Sequence, residues 1–281
     1  MFRRLMGLAL CAMFVASSAS AERPSVPSQE LNTIIMHATF RIHGPAKADP
    51  KRTSFGTVFV MSVPLPDDPK SGRIVLVTAA HVLDDIQGDT ATLLVRRPKV
   101  DGSYVAFPFD VPIRSQGSPL YVKHKEADVA AMYAALPDEV PLSGLTAAFL
   151  TDDKILEEIE IHPGDEAFVD GFPLAATGPG GFPILRTGHL ASYPLIPMKT
   201  VKQFHFDLFL YGGNSGRPVY YSFANRAYKG GIHIGVLQGI LGLVTQETRS
   251  ALPEYSDKSL NFGVVVPAVF IKETMDMLPP P

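Results

Sequence analysis

A serine flanked by glycines is the residue of this chain best suited to chemistry. The sequence YGGNSGRP at residues 211–218 places Ser215 between Asn214 and Gly216. Glycines on both sides let the backbone turn sharply, which can present the hydroxyl beside backbone N–H donors. A serine attacks a carbonyl only with a base within hydrogen-bond reach and donors for the oxyanion. Taken alone, the same residues favour a hairpin turn over a catalytic site.

A nucleophilic serine needs a histidine, and His81 stands out among the eight histidines. It ends the sequence TAAH at residues 78–81, directly after the apolar run at 73–77. The small residues before it let an imidazole leave the end of a strand without crowding. His81 is therefore the candidate base, and an ordinary structural histidine is the alternative.

The base in turn needs a carboxylate that fixes its tautomer and stabilises the imidazolium. Asp128 begins the sequence DVAAM, at the mouth of a predicted apolar strand. A carboxylate is costly to bury without a partner, so we expect one there. Asp84 and Asp85 are the competing carboxylates, although they lie very close to His81 in sequence.

The elements that must position these residues are predicted to be strands. Runs rich in β-branched and aromatic residues, each closed by turn residues, occur at 33–43, 55–63, 73–78, 90–96, 104–114 and 128–133. A second set occurs at 166–170, 184–196, 204–210, 217–222, 232–239 and 260–266, and a closing helix is predicted at 267–278. Two sets of strands with hardly any helix between them predict an all-β fold of two antiparallel barrels or a sandwich.

The start of the chain reads as a secretory signal peptide. Arg3 and Arg4 precede an apolar run at residues 5–15, and small residues at 19–21 offer a cleavage site before Glu22. We expect removal of 1–21 and export to the periplasm or the medium. The remaining boundaries are predicted as a tether at 22–32, a first barrel at 33–135, a connector at 136–150, and a second barrel with the helix at 151–281.

Composition argues against several classes of partner. The single cysteine, Cys11, lies in the predicted signal, and a net charge of −3 does not suit a nucleic-acid partner. No later segment is apolar over a membrane-spanning length. His37 and His43 lack further ligands at metal-binding spacing. The sequence GPGG at 178–181 lacks the lysine of a phosphate loop and favours a hairpin connection. We expect no metal and no cofactor.

The three candidate motifs together resemble those of the chymotrypsin-fold (trypsin-like) serine proteases. TAAH at 78–81, DVA at 128–130 and GNSG at 213–216 match the family's histidine, aspartate and serine motifs in the same order. The resemblance implies two six-stranded antiparallel barrels and hydrolysis of protein or peptide substrates. It also implies His81 as general base and acid, Asp128 as its orienting residue, and Ser215 as nucleophile. The backbone N–H groups of Gly213 and Ser215 would form the oxyanion hole.

Within that family the chain looks like the bacterial branch, which includes the high-temperature-requirement proteases and glutamyl endopeptidases. The segments at 171–173, 186–192 and 261–267 resemble the first group's protease domain. Asn214 replaces the aspartate that pairs with a new amino terminus in digestive relatives, which implies activity without a second cleavage. Arg217 departs from the glycine or serine common at that position, and its sequence context does not explain it.

The resemblance also assigns a primary substrate pocket. It would be lined by Phe209, Leu210, Tyr211, Gln238, Gly239 and Ile240. None of these side chains is charged, which favours an apolar P1 residue, although Asp207 lies nearby in sequence. The alternative is that Phe209 and Leu210 simply pack inside the barrel.

Two other functions remain open at this point. A protease homologue without turnover, acting as a binding module, would carry the same motifs. An esterase with the same triad is less favoured, because Arg217 stands where the last glycine of a Gly-x-Ser-x-Gly elbow belongs.

Overall fold

The computed structural model of the chain describes residues 30–65, 72–142, 145–208, 215–249 and 259–280, without the side chains of 247–249 and 259–261. Strands dominate this part of the chain. The helices are α1 (Leu31–Ala38), α2 (Ala80–Asp84), α3 (Asp153–Glu158), α4 (Met198–Val201) and α5 (Ala268–Asp276). The expectation of a mainly β fold with a C-terminal helix is confirmed.

The first half of the chain forms a seven-stranded antiparallel sheet. Its strands are β1 (Thr39–Pro45), β2 (Thr53–Pro64), β3 (Gly72–Thr78), β4 (Thr90–Pro98), β5 (Tyr104–Pro112), β8 (Val122–Lys123) and β9 (Ala130–Ala134), with a separate ribbon of β6 (Arg114–Ser115) and β7 (Ser118–Pro119). The order is β5-β4-β1-β2-β3-β9-β8, and no pairing among the described residues joins its two edge strands. A six-stranded first barrel is therefore not established by the strand pairing.

The second half of the chain brings six strands together. They are β10 (Glu166–Gly171), β11 (Ile184–Leu190), β12 (Phe204–Asp207), β13 (Pro218–Tyr228), β14 (Gly231–Arg249) and β15 (Ser259–Pro267). Their order is β10-β11-β12-β15-β14-β13, and β13 also pairs with β10 through Val219 and Val169. The connection from β10 to β11 contains the GPGG sequence as part of a hairpin loop, as the sequence predicts.

The predicted first strand at residues 33–43 is wrong in its first half. Residues Leu31–Ala38 form α1, and β1 begins only at Thr39. The buried side chains of the helix are Leu31, Ile34, Ile35 and Ala38, a spacing of one helical face. Leu31 is fully buried, so the end of the range predicted as a tether is part of the folded core. Apolar residues alternate from 34 to 42 across the end of α1 and the start of β1, so the pattern predicts one continuous strand.

A buried arginine from β4 explains where α1 ends. The Arg96 guanidinium donates hydrogen bonds to the carbonyls of Met36, His37 and Thr39 at 3.2, 3.0 and 2.9 Å. These include carbonyls that the helix end leaves without partners. Arg96 also lies over the ring of Phe40, 4.4 Å from its centroid. A partner so distant in sequence cannot be recognised from local periodicity.

Two hydrophobic cores hold the sheets, one in each half of the chain. The first includes α1, the strands β1 to β4 and β9, and the buried face of α5. The second lies between α3 and the strands β10 to β15. Tyr220, Ile240 and Leu243 from the second half belong to the first core, so the halves share apolar contacts. This shared packing fixes the serine-bearing segment against the first sheet.

Candidate active site

His81 and Asp128 leave the same end of the first sheet. In the antiparallel pairing of β3 with β9, Thr78 lies opposite Ala130. His81 follows Thr78 by one turn, in the first turn of α2, and Asp128 precedes Ala130 by two residues. Continuing β3 forward and β9 backward therefore carries both side chains past the same edge. The register of two strands positions the pair.

The Asp128 carboxylate contacts His81 through both of its oxygens. The backbone N–H of His81 donates to Asp128 Oδ1 at 3.0 Å, and the ring Nδ1 lies 2.6 Å from Oδ2. A carboxylate can only accept, so Nδ1 carries the hydrogen and Nε2 keeps its lone pair. This is the tautomer that a general base needs. The structure thus brings together two of the three predicted triad residues.

The contact between the two side chains also shifts the pKa values of both groups. Burial would lower the pKa of His81, but its hydrogen bond to Asp128 and the charges of Asp128, Asp85 and Asp84 raise it above its ordinary 6.5. Burial would raise the pKa of Asp128, but the hydrogen bonds and charge of His81 hold it below its ordinary 3.8. Each group therefore favours the charged state of the other. The arrangement stabilises an imidazolium next to a carboxylate.

The competing carboxylates do not orient His81. Asp84 accepts hydrogen bonds from the Tyr121 hydroxyl at 2.8 Å and from Lys123 Nζ at 3.0 Å, which turns it toward β8. Asp85 contributes its charge and no hydrogen bond to the imidazole ring. Of the three candidate carboxylates, only Asp128 contacts the ring.

Ser215 lies against the same end of the first sheet. Its backbone carbonyl accepts a hydrogen bond from the Thr57 N–H at 2.9 Å. The Thr78 hydroxyl donates to the Thr57 carbonyl at 2.6 Å, so Ser215 and the start of the His81 turn share a neighbour. The Ser215 hydroxyl itself donates to the Thr245 carbonyl at 2.9 Å. In this structure no described hydrogen bond joins it to His81.

The glycine after the serine is required by a close approach between the two halves. Gly216 has φ +85°, and a Cβ there would lie 2.0 Å from the Thr57 carbonyl oxygen and 2.2 Å from Thr78 Oγ1. Any side chain would push the serine segment away from the first sheet. Ser215 and Gly216 therefore pack against β2 and β3 and do not form a free surface turn. Thr57 and Thr245 were not recognised from the sequence, because nothing local marks them.

Part of the predicted pocket and oxyanion hole lies outside the described residues. Gly213 and the predicted pocket residues Phe209, Leu210 and Tyr211 fall outside the described residues.

The other predicted wall lies on β14, before the residues of that strand that contact Ser215. Tyr220 and Ser222 on β13 pair with Ile240 and Gln238 on β14, and Gly239 lies between. The part of β14 at Ser215 is instead Val244 and Thr245.

The predicted end of this strand is wrong for a physical reason. The strand β14 has 19 residues, whereas the sequence predicts its end near Gly239 because glycines interrupt the apolar run. These glycines sit at close contacts: a Cβ at Gly239 would lie 2.7 Å from the Tyr221 hydroxyl, and one at Gly242 would lie 2.0 Å from the Val266 carbonyl oxygen. They permit packing and do not end the strand.

The remaining titratable residues do not assemble a metal site in the described part of the chain, where no group of three His, Cys, Asp or Glu side chains is close enough. His37 lies in α1 against the rings of Tyr104 and Phe182, and His43 lies on β1. Burial lowers the pKa of both histidines. Both histidines are half-buried.

Comparison with known proteins adds no family assignment. No protein-family model matches the chain, and no curated protein matches it either. Within the described residues, no helix has the length and apolar character needed to cross a membrane. The function is therefore argued from the geometry above and from the sequence resemblance.

Proposed function

We propose that this chain is an exported serine endopeptidase with a chymotrypsin-like arrangement of two barrels. The observation that carries the proposal is the double contact of Asp128 with the backbone and ring of His81. That contact fixes the imidazole with Nε2 as an acceptor. The contacts of Ser215 and Gly216 with Thr57 add support, because they bring a serine to the same sheet end.

In the proposed reaction, Ser215 attacks the carbonyl carbon of a peptide bond while His81 Nε2 takes its proton. Asp128 stabilises the resulting imidazolium. The N–H groups of Gly213 and Ser215 bind the oxyanion. His81 then protonates the leaving amine, which leaves an acyl group on the serine oxygen. Water, deprotonated by His81, releases the acid and restores the hydroxyl.

Attack requires one local change in the serine. Its hydroxyl must leave the Thr245 carbonyl, to which it donates at 2.9 Å, and turn toward Nε2 of His81. Rotation about the Cα–Cβ bond moves the oxygen between staggered positions. Catalytic hydrogen bonds commonly shorten only once substrate is bound. The observed rotamer is therefore compatible with a resting state.

The same rotamer favours a second candidate function. In a protease homologue without turnover, a serine hydroxyl held by Thr245 would have no need of His81. Such a protein would bind peptides or proteins and not cleave them. The two functions differ in one property, which is whether substrate breaks the hydrogen bond of Ser215 to the Thr245 carbonyl.

The experiment is hydrolysis of a peptide library by purified chain beginning near Glu22. We expect cleavage that disappears in Ser215→Ala and needs no further trimming of the amino terminus. Binding of library peptides without cleavage between pH 6 and 9 would favour the second candidate. The cleavage sites also report P1 preference, for which the expected apolar side chain now rests on residues 209–211 alone.

A further inference from the structure

The side chain two residues after the candidate nucleophile is a buried cation. Arg217 is 0% exposed, although its backbone lies at the serine segment. Its carbonyl accepts a hydrogen bond from the Val244 N–H at 2.9 Å, and the Gly216 N–H donates to the Val244 carbonyl at 2.7 Å. None of its three guanidinium nitrogens has a hydrogen-bond partner among the described residues. Such a cation is costly unless an opposite charge faces it.

The opposite charge that acts on Arg217 comes from β10, although no hydrogen bond joins the two groups among the described residues. Asp170 is also 0% exposed, and its Oδ2 accepts a hydrogen bond from the Tyr220 hydroxyl at 3.1 Å. Burial raises the pKa of Asp170 to about 7, while the Tyr220 hydrogen bond and the Arg217 charge oppose the rise. Burial lowers the pKa of Arg217 to about 9, the like charge of Arg186 lowers it further, and the Asp170 charge opposes both effects. The two groups attract each other inside the protein.

The stem of the arginine is fitted to the neighbouring glycine. A Cβ at Gly171 would lie 2.3 Å from Arg217 Nε and 2.5 Å from its Cδ and Cγ. The arginine side chain therefore lies directly on the backbone of β10, beside Asp170. Its other end is the main chain that carries Ser215. The Arg217 side chain thus connects β10 to the serine segment.

We propose that Arg217 and Asp170 are positioning residues that hold the Ser215-Gly216 segment at the end of the first sheet. The inference rests on the proposed function, since it assigns a role to residues behind the proposed nucleophile. Removing the arginine side chain leaves unfilled space against Gly171, and removing the Asp170 charge leaves a buried cation acted on by the like charge of Arg186; movement of the segment relieves either change. A displacement of about 1 Å at a reacting group can cost about 100-fold in rate.

The test compares the rate at which a fluorophosphonate labels Ser215 in Arg217→Met, Asp170→Asn and the double variant. Each single variant should label about 10- to 100-fold more slowly. Because the two residues act as a unit, the double variant should lose no more than the worse single variant. With a peptide substrate, kcat should fall while KM changes by less than about twofold. Arg217→Lys, which keeps the charge, should recover part of the rate.

Arg96→Met is the matched control for loss of a buried arginine. Arg96 is 2% exposed and contacts α1 and Gly181, away from Ser215. The control should lower thermal stability and leave the labelling rate of folded protein unchanged. Equal slowing by Arg96→Met and Arg217→Met would overturn the positioning role, because any loss of core stability would then explain it. Wild-type labelling rates in both Arg217→Met and Asp170→Asn would overturn it as well.

Amide hydrogen exchange separates this inference from the proposed function. The Gly216 N–H is hydrogen-bonded to Val244, so its exchange reports the position of the segment without any catalysis. Arg217→Met should speed exchange there more than tenfold, and Arg96→Met should not. Unlabelled wild type would contradict the proposed function, and the exchange result would still decide the positioning role. Unchanged exchange in Arg217→Met would refute that role.

Discussion

The substitution Asp128→Asn should keep the two hydrogen bonds to His81 and move the ring hydrogen of His81 from Nδ1 to Nε2. The backbone N–H of His81 donates to Oδ1 at 3.0 Å, so the amide oxygen of Asp128→Asn must take that position. The amide NH₂ then occupies the place of Oδ2, which lies 2.6 Å from the ring Nδ1. An NH₂ group donates, so Nδ1 becomes the acceptor and Nε2 carries the hydrogen. The imidazole then cannot take the proton of Ser215.

The size of the effect follows from the contacts that must be broken. Restoring the useful tautomer puts two N–H groups face to face, and rotating the amide instead places NH₂ against the His81 backbone N–H. Either route loses one or two hydrogen bonds, about 3 to 5 kcal/mol. The imidazolium also loses the carboxylate charge. We therefore expect kcat/KM to fall about 10⁴-fold, or about 5.5 kcal/mol.

The assay is kcat/KM for a peptide identified by the library, measured alongside thermal unfolding. The matched control is Glu126→Gln, which removes a charge two residues before Asp128. The Glu126 side chain is exposed and pairs with Lys202. The control should change kcat/KM by less than about threefold, since exposed pairs contribute little. A loss below tenfold in Asp128→Asn, or an equal loss in the control, would refute the tautomer argument.

Three further outcomes are expected. Because the pKa of His81 is raised above 6.5 and the base must be neutral, kcat/KM should fall on the acid side with an apparent pKa above 6.5, measured as a pH profile. Arg96→Met should lower the free energy of unfolding by about 3 kcal/mol in denaturant titration, because several buried carbonyls lose their donor. Gly216→Ala should abolish peptide hydrolysis and destabilise the fold by more than about 2 kcal/mol, owing to the clash with Thr57, whereas Gly230→Ala, also at positive φ but in open space, should cost about 1 kcal/mol and keep activity.

The strands and the His81–Asp128 pair could be predicted because their signals are local. Alternating apolar residues mark each strand, and the ends of β3 and β9 are marked by small residues beside a histidine and by a carboxylate. Two neighbouring strands that end together bring such residues into contact. Only the strand register had to be correct. The contact between His81 and Asp128 then follows from the chain order.

The sequence could not predict features that depend on distant partners. The helix α1 ends where the Arg96 guanidinium donates hydrogen bonds to its last carbonyls, and the length of β14 depends on side chains that fit against its glycines. The sequence around the serine does not explain Arg217, because Gly171, on which its side chain packs, and the charge of Asp170 both lie on β10. Each of these features is set by packing between elements.

The most direct test of the account is the mass and position of a fluorophosphonate adduct on the intact chain. Ser215 is the proposed nucleophile, and its activation depends on His81 in the tautomer that Asp128 fixes. We expect one adduct per chain, mapped to Ser215, at a rate that falls strongly in His81→Ala. An adduct at another serine, or equal labelling of wild type and Ser215→Ala, would contradict it.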